Sequence, residues 1–204
     1  MIVTERMGRL DLAITPARIE EAQHFVELAL MSGRGFLEVL FEDQSRKILE
    51  ALYIEKGNLF SHECCMFAKF GNHIAGMVLA YPYEYSAKFR LRTGFLLIKE
   101  MGISSVLRLL SVDRAIGKHG KNEFYISNLA VYPDFRNKGL ARGLLQYCFE
   151  AAKRALSTKV TLDVEEENEV AIKLYTKMGF QFERKSTIKL GKNIFHFVRM
   201  SKPI

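Results

Sequence analysis

Residues 124–155 hold the chain to one local architecture. The run FYISNLAV is rich in apolar, β-branched and aromatic residues, as a buried strand would be, and Pro133 closes it. A basic loop, Arg136-Asn137-Lys138, then leads to Gly139. From there Leu140, Leu144, Cys148, Ala151, Ala152 and Ala155 recur at helical spacing. A strand feeding a helix through such a turn brings the helix N-terminus to the strand end, where unpaired N–H groups and a partial positive charge await an anion. Gly139 and Ala141 leave room for close approach, and Arg136, Lys138 and Arg142 add three cations, so the segment reads as a pyrophosphate cradle. No GxxxxGK[ST] occurs, and the spacing of Gly139 to Gly143 does not fit GxGxxG.

Around this unit the patterning alternates. Leu10, Leu12 and Ile14 alternate as a strand, and Thr15-Pro16 is expected to cap the helix that follows, with Pro16 at its first position. Ala22, Phe25, Val26, Ala29 and Leu30 mark that helix, and Val39, Leu40, Ile48, Leu49 and Leu52 mark a second helical stretch. Cys64–Phe70 and Ile74–Tyr81 flank Gly71-Asn72 as a hairpin. A strand at Val160–Val164, a helix from Asn168 to Met178, and a last hairpin, Phe182–Leu190 with Ile194–Met200, complete the chain. The order predicts an α/β (α+β) fold, a mixed and mostly antiparallel sheet with helices on both faces. All of residues 1–204 are expected to form one domain.

Composition excludes several classes. With 49% hydrophobic and 26% charged residues the chain is neither disordered nor fibrous. The first dozen residues carry charges and no apolar stretch with a cleavage site, so export is not expected. Lys99, Glu100 and Arg108 interrupt the most apolar span, Phe95–Val112, which argues against a transmembrane helix. Three cysteines, two of them adjacent, suggest no disulfide framework and favour a cytoplasmic, reducing location. The net charge of +7 favours polyanionic partners.

Arg136-Asn137-Lys138-Gly139-Leu140-Ala141 resembles the Q/R-x-x-G-x-G/A pyrophosphate loop of the GNAT (GCN5-related N-acetyltransferase) superfamily. Downstream, Asn168, Ala171, Leu174, Tyr175, Gly179 and Phe180 are similar to that family's second signature, in the right order and one strand away. The resemblance implies a GNAT-like fold and acetyl-CoA as co-substrate, with no metal. It implies transfer of the acetyl group to a primary amine by direct attack. By the same resemblance Leu129, Ala130 and Val131 would pair with the pantetheine arm, and the Leu129 N–H would polarise the thioester carbonyl. The loop residues Arg136, Asn137, Lys138, Gly139, Leu140, Ala141 and Arg142 would hold the pyrophosphate. Asn168 would bond the pantetheine, and Tyr175 would serve as general acid to the departing sulfur.

Each role has a plainer competitor. Tyr175 could be packing, Asn168 an ordinary N-cap, and the loop cations solvated charges. The strand position that carries a catalytic glutamate in some relatives is Tyr125 here. Glu123, two residues earlier, is the general-base candidate that remains, with Asp163 and Glu165 ranked below it and a water chain as the alternative. His62 with Cys64 lacks the spacing of a zinc site, Cys148 falls on the apolar stripe, and His196 is left unassigned.

Between Tyr83 and Asn122 lies a stretch longer than the resemblance calls for. It carries eight basic against three acidic residues, five of the net +7. Ile103, Val106, Leu107 and Leu110 suggest an amphipathic helix over the sheet edge. This insertion is expected to form a basic lid that favours an acidic or phosphorylated small-molecule or peptide acceptor. A non-catalytic acyl-CoA-binding or interaction module is the competing function. A second copy of the chain is an admissible partner, while no motif points to specific nucleic-acid binding.

Overall fold

In the computed structural model, which describes residues 3–7, 10–102, 106–115 and 120–204, eight strands form one sheet in the order β1-β2-β3-β4-β5-β6-β8-β7. The strands are β1 (Val3–Met7), β2 (Leu10–Pro16), β3 (Cys65–Phe70), β4 (His73–Pro82), β5 (Glu123–Val131), β6 (Lys159–Glu165), β7 (Gln181–Leu190) and β8 (Asn193–Pro203). Every neighbouring pair is antiparallel except β5 with β6. That single parallel pair arises because a helix crosses over between its strands.

Two apolar layers sandwich the sheet. On one face α1 (Ala22–Gly33), α2 (Phe36–Phe41) and α3 (Ser45–Ile54) pack with α4 (Tyr83–Met101) around Phe25, Tyr53, Phe67 and Met77. On the other, α6 (Leu140–Arg154) and α7 (Glu169–Lys177) cover Ile126, Val160 and Leu162. The expected helices on both faces and mostly antiparallel sheet are what the chain forms. α6 buries Leu140, Leu144, Leu145, Cys148 and Ala152. Burial of one large apolar side chain contributes roughly 1.5–3 kcal/mol, so this stripe anchors the helix, and with it the N-terminus that faces the β5 end.

Two local expectations are corrected. Thr15-Pro16 does not cap a helix. Pro16 is the last residue of β2, opposite Met66, and the first helical turn starts later at Ile19, where the Arg18 N–H donates to the Glu21 carboxylate at 2.9 Å. Among the described residues β1 pairs with β2 as far as Ile14, and Pro16 sits at the end of its strand, where a missing N–H is tolerated. The second helical stretch is two helices, because Glu42 at φ 55° breaks it between α2 and α3.

The insertion is more helical than its sequence suggests: α4 runs directly from the end of β4, and α5 (Val106–Ala115) follows. Phe89, Leu96 and Leu97 join the core on the α1–α3 face, with α4 packed against α3. α5 packs on the edge strand β7, where Arg184 Nη1 donates to the Ala115 carbonyl at 3.1 Å. Ile103 and Lys118, which entered the lid expectation, lie outside the described residues.

Candidate active site

The centre of the site is a wedge between β5 and β6. The two strands pair in parallel only from Glu123↔Lys159 to Ile126↔Leu162. Beyond that couple β5 continues to Val131 held by β4, and β6 continues to Glu165 held by β8, so their facing edges carry unpaired backbone groups. The cause is local to β5. Its register with β4 steps from Leu79↔Asn128 to Ala80↔Ile126, leaving Ser127 as an extra residue, and such a bulge bends a strand away from its neighbour. Gly76 lets β4 follow the bend closely, since a Cβ there would stand 2.6 Å from the Ala130 carbonyl oxygen. Leu129, Ala130 and Val131 lie on this free edge, where a peptide-like group can add as a strand.

The loop at the mouth of the wedge is shaped for an anion. Asn137 and Gly139 take φ of 61° and 81°, the left-handed region in which glycine is unstrained. Gly139 is the N-cap of α6, with no side-chain cap and no acidic residue in the first turn, so the leading N–H groups are left for a ligand. Arg136 braces the loop, its Nε donating to the Val131 carbonyl at 3.2 Å. Lys138 Nζ donates to the Asp134 carbonyl at 2.9 Å, and its ammonium stands 5.4 Å from the centre of the Phe135 ring. Arg136, Lys138 and Arg142 are all exposed, with donors to spare, and Ala141 sits beside them in the first turn. Leu140 instead points into the core.

Across the wedge, Asn168 caps α7 by accepting from the Ala171 N–H at 3.2 Å, which leaves its amide donors unused by the cap. Tyr175 is buried against Phe180, ring centres 5.7 Å apart; burial, with Cys148 nearby, pushes its hydroxyl up to about 12. It therefore stays protonated throughout the neutral range.

Glu123 is not with the others. Six residues of strand, roughly 20 Å at 3.3 Å per residue, separate it from Leu129. It is buried at the closed end of the β5–β6 pair, ion-paired with Lys159 at 3.0 Å and within 3.4 Å of the Thr161 hydroxyl. Asp163 stands nearer the fork but is fully engaged. Arg199 grips it at 2.6 Å through Nη2 and at 3.2 Å through Nε, and Tyr125 donates to it at 3.2 Å. Burial nonetheless raises the proton affinity of Asp163 above its ordinary value, against the pull of Arg199. It drives the Tyr125 phenol up strongly too.

Glu165 differs from both. It is partly buried at the open end of β6, and among the described residues its carboxylate makes no hydrogen bond or ion pair. Sequence reasoning placed it, with Asp163, below Glu123; its nearness to Leu129 depends on strand register, which no local pattern reveals.

The remaining candidates fall outside the wedge. His62 Nδ1 lies 2.9 Å from the Tyr53 carbonyl and Cys64 is buried, while Cys148 lies in the core under α6. No three His, Cys, Asp or Glu side chains form a metal-binding group among the described residues. His196 is exposed and 3.1 Å from the Thr187 hydroxyl. Two cations of the insertion lie away from the wedge: Arg92 is paired with Glu55 at 3.0 Å, and Lys121 precedes the closed end of β5. No helix among the described residues is long and apolar enough to cross a membrane.

Comparison with known proteins identifies the family and the fold. The model of the acetyltransferase (GNAT) family matches residues 34–180. The chain is similar to an uncharacterized N-acetyltransferase, YdgE, of Bacillus subtilis (strain 168), 39% identical over 62 residues. That match covers 30% of this chain and 40% of the relative, so it spans less than half of that protein's length. In fold it is similar to an N-acetyltransferase from Staphylococcus aureus Mu50, at TM-score 0.67 and 22% identity over 91% of this chain and 98% of that one. It is also similar to a Bacillus subtilis acetyltransferase solved in complex with CoA, at TM-score 0.53 and 15% identity over 100% of this chain and 97% of that one.

Proposed function

The chain belongs to the acetyltransferase (GNAT) family, and from that premise we propose that it transfers an acetyl group from acetyl-CoA to a primary amine by direct attack. The observation that carries the proposal is the wedge: a free edge at Leu129–Val131 ending in a loop whose uncapped helix start is flanked by three exposed cations. Free strand edge and anion cradle together suit a molecule that has an amide-bearing arm and a pyrophosphate. CoA is such a molecule, and a structural neighbour was solved with it bound.

When bound, acetyl-CoA supplies an activated acyl group. The chain's own residues hold and polarise it. Arg136, Asn137, Lys138, Gly139, Leu140, Ala141 and Arg142 take the pyrophosphate, through backbone N–H groups and the cations. Leu129, Ala130 and Val131 take the pantetheine by backbone bonds, with Asn168 adding its free amide donors. The Leu129 N–H stabilises charge developing on the carbonyl oxygen. Tyr175, with its hydroxyl at about 12, is less acidic than an ordinary thiol near 8.5. It therefore serves the sulfur by donating a hydrogen bond more than by surrendering its proton.

The chain acts as one acyltransferase domain, and its three free, buried cysteines suit a reducing cytoplasm. The acceptor is an amine borne by a small molecule or a peptide. Arg92 is committed to Glu55 and Lys121 lies at the far end of β5, so neither of these two cations supports an acidic or phosphorylated acceptor.

Titration calorimetry with acetyl-CoA tests the cradle. Ala141→Asp is the informative variant, because an acidic residue in the first turn favours the helix while repelling a pyrophosphate. Binding by the wild type and a loss of about 100-fold or more in the variant, at unchanged melting temperature, is expected. A folded wild type that does not bind acetyl-CoA overturns the proposal. Binding without amine-dependent CoA release would leave a non-catalytic acyl-CoA module.

A further inference from the structure

The wedge has an acceptor side that the residues above do not serve. Leu129 and Glu165 each stand three residues beyond the last paired couple, Ile126↔Leu162, but the bulge at Ser127 takes up one step of β5, so Glu165 lies across the gap from Leu129 and about one residue further along. Side chains alternate along β6. Val160, Leu162 and Val164 pack under α6 and α7, so Glu165, like Thr161 and Asp163, points to the opposite face, toward α1 and α2. A thioester laid along Leu129 from the α6 side thus has Glu165 across from it, on the side an amine can enter.

The groups facing Glu165 are Arg34 at the end of α1, Glu38 of α2 and Glu167 in the turn after β6. Burial raises its proton affinity above that of an ordinary carboxylate, Arg34 opposes this, and Glu167 and Glu38 reinforce it. Asp163 and Glu123 are committed to Arg199 and Lys159, whereas among the described residues Glu165 has no committed partner.

We propose that Glu165 is the residue that takes the proton from the acceptor amine, an inference that rests on the acetyltransferase reading above. The acceptor enters as an ammonium and gives one proton to a Glu165 oxygen. Its nitrogen lone pair then forms the bond to the acetyl carbon while the carbon–sulfur pair departs with sulfur. The second surplus proton passes from nitrogen to sulfur, toward which the Tyr175 hydroxyl donates its hydrogen bond. The products are the amide, CoA as thiol, and a protonated Glu165 that returns its proton to water. Flanking by Glu38 and Glu167 selects a cationic amine with no anionic group beside it.

The test compares two nucleophiles at saturating acetyl-CoA, 1,4-diaminobutane and hydroxylamine, the second already neutral at pH 7. Glu165→Gln is expected to slow transfer to diaminobutane by about 100-fold or more and transfer to hydroxylamine by less than about 3-fold. Acetyl-CoA affinity, read by calorimetry, stays unchanged. The wild-type rate falls as pH drops through the Glu165 range, because the protonated carboxyl cannot accept. The variant loses that limb and recovers as rising pH neutralises the diamine, and Glu165→Asp restores part of the rate. Equal slowing with both nucleophiles, or a wild-type pH profile in the variant, overturns the assignment while leaving the acetyltransferase reading intact. Transfer to neither nucleophile by a wild type that binds acetyl-CoA overturns that reading and this one together.

Discussion

The two halves of the β5–β6 pair are made of the same two strands and do opposite things with their polar groups. In the closed half and at the fork directly beyond it the carboxylates are spent: Glu123 on Lys159, and Asp163 on Arg199 and Tyr125. In the open half the strand edges, the leading N–H groups of α6 and the Glu165 carboxylate are left without such partners among the described residues. Satisfied polar networks hold a sheet together, and unsatisfied ones await a ligand. The closed half is thus the structural base of the wedge, and on the proposed function the open half is where acetyl-CoA and acceptor meet. A substitution should reveal which half it lies in by whether it changes stability or turnover.

The sharpest way to break this contrast is at Arg199. Its side chain is 6% exposed and that of Asp163 2%, so Arg199→Leu would strand a buried carboxylate. A cost of about 3–5 kcal/mol is expected, which in a domain of this size lowers the melting temperature by roughly 10 °C. The deficit has a pH signature. Burial already raises the proton affinity of Asp163, so the ionised form is the costly one. In the variant, stability is lost as pH rises through the carboxylate range and regained on acidification. Asp163→Leu together with Arg199→Leu should recover most of the loss in a urea titration. A single variant within about 1 kcal/mol of wild type would mean that the pair does not seal the closed half.

Tyr175→Phe probes the other half, with a smaller free-energy effect. The ring and its contact with Phe180 survive, so stability should change by less than about 1 kcal/mol. Turnover should drop by about 10- to 100-fold, at the lower end of what general acids contribute, because on the proposed mechanism a hydroxyl at about 12 would hydrogen-bond to the sulfur rather than protonate it. Steady-state kinetics with unchanged acetyl-CoA affinity would place the loss in the chemical step.

Much of this division was legible before the fold was known. The cradle loop, α6 and the cap at Asn168 are local patterns, and each formed where the residues indicated. Register was not legible. The bulge at Ser127 that opens the wedge has no glycine or proline to announce it, and only pairing with β4 exposes the extra residue. Without the register, Glu123 looked closer to the chemistry than Glu165, although the former lies at the closed end and the latter across the gap from Leu129, about one residue further along. The insertion misled for a different reason. α4 buries Ser86, Phe89, Thr93, Leu96 and Leu97, a sound helical stripe, but Leu91 and Phe95 are 82% and 68% exposed on the other side and blur its amphipathic pattern.

The mildest test sits on the border between the halves, at Asn168, where one side chain is asked to do two things. Its Oδ1 closes the first turn of α7, and loss of such a cap costs typically about 1 kcal/mol. Asn168→Ala should therefore lower stability by that amount. Asn168→Asp should restore it, since a carboxylate caps equally well and favours the helix start. The two variants part company in binding. Neither has the amide N–H groups, so both should weaken acetyl-CoA binding by a few-fold, about what one lost neutral hydrogen bond contributes. If Asn168→Asp restores affinity along with stability, the residue belongs to the closed half in function as well as in structure. The pantetheine would then be held by the β5 edge alone.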